Sequence, residues 1–120
     1  MTHQPPQDFG VPVNLDTLTE AMQASEAYRR AGHTARTILR AADLRIVVLV
    51  MKAGSRLAEH RAKETASVHV LSGRVRLGLP NGHLELSAGQ LLMLEPNVRH
   101  DVEATSESTL LLTLGWKQGD

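Results

Sequence analysis

Apolar residues change their spacing at Gly32. Before it they recur every third or fourth position, and after it every second, which predicts a helical segment followed by strands. Leu18, Ala21, Met22, Ser25 and Tyr28 fall on one helical stripe. Thr17 and Glu20 have the spacing of a capping box, and Gly32 supplies a stop. The chain therefore divides into an irregular arm over 1–15, a helix over 16–32 and a β domain over 33–116. The arm is broken up by Pro5, Pro6, Gly10 and Pro12.

The β region reads as short strands separated by turn residues. Thr34–Arg40 alternates around Ile38, and Leu44–Met51 is β-branched and apolar on both faces until Gly54. Ser67–Leu71 and Arg74–Leu79 flank Ser72-Gly73. In the second of these Val75, Leu77 and Leu79 share one face, and Arg74 and Arg76 take the other. Pro80-Asn81-Gly82 turns the chain into His83–Leu86. Leu91–Leu94 and Thr109–Leu114 follow. Seven or eight such strands predict an all-β sandwich or barrel. Ile46–Met51, Leu91–Leu94 and Leu110–Leu112 are apolar on both faces, so something must cover their outer side. The 16–31 helix is too short to cover three strands, which favours a second subunit and hence a homodimer.

Composition narrows the function. With 13 Lys and Arg against 13 Asp and Glu, the chain of 120 residues carries no net charge. That argues against a nucleic-acid surface. Aromatic residues are only Phe9, Tyr28 and Trp116, too few for a base-stacking platform. The chain has no cysteine, which removes disulfides and thiolate chemistry. No apolar run is long enough to cross a bilayer, and Met1–Pro6 lacks the form of a signal peptide. A cytoplasmic location is expected, with no membrane partner. Neither a phosphate-binding glycine loop nor a supported hydrolytic triad is present.

The remaining chemistry lies with six histidines. His3, His33 and His83 read as solvated, and His69, between Val68 and Val70, as an outer-face residue. His60 and His100 sit in a larger pattern. Gly54, His60, Ala62, Ala66 and Gly73 are spaced like the first cupin motif. After fifteen intervening residues come Gly89, Pro96 and His100, with eleven residues from Gly89 to His100. Pro96 is displaced by one, and Asn97 or Val98 stands where a glycine is expected. The run from Val68 to Ala104 resembles the small single-domain cupins of the RmlC-like kind.

That resemblance implies a double-stranded β-helix, or jelly-roll barrel, often dimeric. It also implies a metal held by two histidines and a glutamate from the first motif and one histidine from the second. Here His60 and His100 match two of those positions as metal residues. Ala62 stands where the second histidine belongs and Ala66 where the glutamate belongs, so the metal site is degenerate. Two imidazoles fall short of the three protein ligands usual in a catalytic site. The expected function is a stand-alone cupin binding a small molecule in the barrel, as a sensor or accessory protein. Its ligand-binding residues would be His60, Ala62, Ala66, Val68 and His100. The alternative is a metal-dependent enzyme of dioxygenase or isomerase type, in which a divalent metal is held by His60, His100 and Glu64 or another donor. A third possibility is a partner surface formed by the two-sided strands and residues 1–31.

Overall fold

The computed structural model describes residues 9–116, except the side chain of His60. His3 and most of the N-terminal arm lie outside the described residues. Two helices, α1 (Leu15–Gln23) and α2 (Glu26–Ala31), precede nine strands. These are β1 (His33–Arg40), β2 (Leu44–Met51), β3 (Arg56–His60), β4 (Ala66–Ser72), β5 (Arg74–Leu79), β6 (Gly82–Ser87), β7 (Leu91–Leu94), β8 (His100–Ala104) and β9 (Ser108–Gly115). The strands form a five-stranded sheet, β1-β2-β9-β4-β7, and a four-stranded sheet, β3-β8-β5-β6. Every pairing is antiparallel.

The single helix expected over 16–32 is two helices. Ser25, assigned to the apolar stripe, instead caps α2: its side chain accepts from Tyr28 N at 3.2 Å and donates to the Met22 carbonyl at 2.6 Å. A side chain that competes for backbone hydrogen bonds breaks the helix there. The capping box at Thr17 and Glu20 is also replaced. Asn14 is the N-cap of α1, its side chain accepting from Thr17 N at 2.9 Å. Gly32 does stop the helical segment, with φ 83 and its N–H donated to the Tyr28 carbonyl. Among the described residues no helix is long and apolar enough to cross a membrane.

The apolar residues form two layers. Between the sheets lie Leu49, Met51, Val70, Val75, Leu77 and Leu110, among others. On the outer side of the larger sheet Val48 and Val50 pack with Met22 and Tyr28. This explains why β2 is apolar on both faces: one row faces the smaller sheet and the other faces the helices. The two-sided strands were expected to be covered by a second subunit in preference to the helix; for β2 the helices supply the cover. Burying each of these outer-layer side chains contributes roughly 1.5–3 kcal/mol.

A polar tie fastens this outer layer. The Tyr28 hydroxyl donates to Glu107 Oε2 at 2.9 Å, linking α2 to the turn before β9. Burial, and then the hydrogen bond and charge of Glu107, push the Tyr28 phenol up from 10.0 to about 12. The folded phenol thus holds its proton more tightly than the unfolded one. Its contribution is complete below pH 10.0 and is lost as the pH rises towards about 12. Tyr28→Phe should cost about 1 kcal/mol at neutral pH. In denaturant melts the gap between wild type and variant should then shrink over that alkaline window. A gap that stays constant with pH would show that the hydroxyl is not the tie.

Candidate functional site

One end of the sandwich contains a cavity of about 400 Å³. Its wall begins on β4, where the buried Ala66 and Val68 alternate with the half-buried Ser67 and His69, and Ala66, Ser67 and Val68 border the cavity. On β9 the same alternation brings Leu112 and Leu114 to the cavity, and Leu94 comes from β7. His69 is half-buried and pairs across the sheet with Leu91 and Leu111, on the outer face as expected. His83 is exposed, as expected. His33, expected to be solvated, is half-buried in β1, and its Nδ1 is buried without a hydrogen-bond partner.

His100 opens β8 and is 6% exposed. It shares its face with Val102 and Ala104 and lines the cavity. The Val98 carbonyl accepts from His100 Nδ1–H at 3.0 Å. A carbonyl can only accept, so the proton is on Nδ1, and in the neutral ring Nε2 carries the lone pair. Asn97 helps to shape this turn with φ 66, and its N–H donates to the Ala62 carbonyl at 2.7 Å. That bond joins the two motif segments at the cavity rim. The backbone of His60 is the cross-strand partner of His100, after a register shift between Leu57 and His60. The expectation that the His60 side chain binds metal or ligand lies outside the described residues.

Ala62, Ala66, Val68 and His100 therefore meet around one cavity. Glu64 also lines it, from the segment 61–65 between β3 and β4. Ala62 and Ala66 offer methyls where a metal would need donors. Among the described residues no group of three or more histidine, aspartate or glutamate side chains could hold a metal. The described donor set does not fit a resident metal ion.

Five of the side chains in the wall were missed by sequence reasoning. Leu112 and Leu114 continue the inward parity of Leu110, a signal readable in the period of two along β9, and Trp116 follows one residue past the end of that strand. Arg61 and Lys63 come from the polar connection before β4, which carries no periodic signal.

The sequence matches the family model for a cupin domain, Cupin_2, over residues 47–115. The chain belongs to the cupin family. Solved cupins share its fold at low identity. A cupin superfamily protein from Desulfitobacterium hafniense DCB-2 aligns with a TM-score of 0.75 and 13% identity, over 97% of this chain and 100% of that one. KdgF from a Halomonas species gives a TM-score of 0.65 and 17% identity, covering 72% of this chain and 82% of that one. A variant of salicylate 1,2-dioxygenase from Pseudoaminobacter salicylatoxidans gives 0.76 and 14%, covering 85% of this cupin but only 34% of the dioxygenase. No curated protein matches the sequence.

Proposed function

We propose that the chain is a cytoplasmic cupin domain that binds a small molecule in its barrel, in a sensor or accessory role without robust metal catalysis. The observation that supports this reading most is the composition of the cavity wall. Its volume of about 400 Å³ lies within the usual range for small-molecule sites, and methyls from Ala62 and Ala66 form part of its wall. His100 is the buried polar handle. His60 joins it in this reading on strand register alone.

A second reading, a metal-dependent cupin enzyme, draws support from Glu64 and His100 lining the same cavity. His60 would be its third donor. The salicylate dioxygenase variant among the structural neighbours is an enzyme on this fold. Metal analysis separates the two readings. Untagged protein should contain well under one metal per chain. The double variant Ala62→His, Ala66→Glu, which restores the donors the cupin pattern expects, should rise to nearly one. A stoichiometric metal in the wild-type protein that is lost in His100→Ala would favour the enzyme.

The proposed unit is a homodimer. β7 is an edge strand of the larger sheet, and Leu91 and Met93 on it are 52% and 62% exposed. They lie on the outer face, in the cross-strand rows of His69 and Ser67, beyond the helices. Exposed apolar side chains on an unpaired edge invite association. Light scattering should give twice the chain mass, and Leu91→Glu with Met93→Glu should halve it. A wild-type monomer at high concentration would remove this part of the proposal.

A further inference from the structure

We infer that the cavity is built for a small planar aromatic carboxylate, its ring against Trp116 and its charge at Arg61 and Lys63. The inference deepens the small-molecule reading above and rests on it.

The charge comes from the mouth. Arg61 and Lys63 both line the cavity. Among the described residues neither forms an ion pair, whereas Arg30 pairs with Glu26 and Arg99 with Glu59. The carboxylate in the lining is that of Glu64. Two cations against one carboxylate in the wall favour an anion over a cation. Deeper in, the wall is aliphatic and His100 is its buried polar side chain. A sugar or another polyol would leave most of its hydroxyls without partners there. The fitting ligand therefore has one charged end and an apolar body.

Trp116 selects the shape of that body. Its ring is fixed from two sides. The backbone bond to Asp43 holds the residue in place, and the Arg45 guanidinium lies 4.2 Å from the ring centroid. Arg45 is itself anchored by donating to the Ala41 carbonyl. The indole still lines the cavity and is 47% exposed. A ring held before the ligand arrives loses little entropy on binding, and it favours a flat π surface over a puckered ring. The leucines of the wall make no such distinction.

Trp116 is the sole tryptophan, so its fluorescence reports from the cavity mouth. Three probes of similar size separate the elements of the inference: benzoate, benzamide and cyclohexanecarboxylate, each titrated by fluorescence and by calorimetry. Benzoate should bind about tenfold tighter than either of the others. The double variant Arg61→Gln, Lys63→Gln should lower benzoate affinity by about tenfold and leave benzamide unchanged. Trp116→Leu should bring benzoate and cyclohexanecarboxylate level in calorimetry. If benzamide matches benzoate, the cavity reading stands and the anion inference falls. Equal binding of cyclohexanecarboxylate and benzoate to the wild-type protein would overturn the aromatic part. If none of the three binds, this inference falls and the cavity reading stands on its own test; if they bind and filling the cavity by Ala66→Phe leaves every titration unchanged, binding lies outside the cavity, and the cavity reading falls and takes this inference with it.

Discussion

The two sheets are held together by side chains that fill one end of the sandwich and leave the other end open. Met51, Leu77, Val70, Val75 and Leu110 are fully buried at the filled end. Along β4 the inward row runs from Val70 through Val68 to Ala66, so side-chain volume falls towards the open end. A sealed, dry void of about 400 Å³ would cost on the order of 10 kcal/mol at the mutational rate of about 24 cal/mol per Å³. That approaches the whole stability of a typical domain, roughly 5–15 kcal/mol. The fold avoids the cost by opening the space to solvent between exposed Arg61, Lys63 and Trp116. The site is thus a consequence of where the core stops.

The larger sheet then needs protection on its other face. β2 carries Leu49 and Met51 towards the interior and Val48 and Val50 outward. The helices supply Met22 and Tyr28 against the outward row, and the Tyr28 to Glu107 bond fixes their position. This cover does not reach β7, where Leu91 and Met93 remain exposed. The outer face thus has a covered half and an uncovered half, and the open half carries the case for self-association.

Strongly apolar or alternating runs bounded by turn residues were legible in the sequence: Leu44–Met51, Arg74–Leu79 and Leu91–Leu94 have the bounds their pattern predicts. β3 and β8 were not. Each has few apolar residues, β3 is an edge strand, and its register shifts between Leu57 and His60, which hides the alternation. The helix break was missed because Ser25 fits a helical stripe by spacing while its hydroxyl favours a cap. Ala62, Ala66, Val68 and His100 could be grouped in advance because motif spacing on a known architecture carries position. The mouth could not. Arg61 and Lys63 sit on an irregular segment, and Trp116 lies one residue beyond the end of β9, where the strand period no longer applies.

The alanines also bear on what the barrel requires in order to fold. A buried histidine and glutamate facing this space would need partners to offset their desolvation, and in a metal-binding cupin the ion supplies them. With Ala62 and Ala66 in those positions there is no such charge to neutralise. His100 survives burial on other terms, because the Val98 carbonyl accepts a hydrogen bond from its Nδ1–H and holds the ring in one tautomer. The same bond would orient a metal-ligating imidazole, so it does not by itself distinguish a ligand pocket from a metal centre. The methyls reduce what the wall can coordinate: among the described residues that line the cavity, Glu64 and His100 carry the groups a metal would use, one short of the three protein ligands usual in a catalytic site. His100 is the buried polar side chain of that wall, and the charged side chains Arg61 and Lys63 stand exposed beside it.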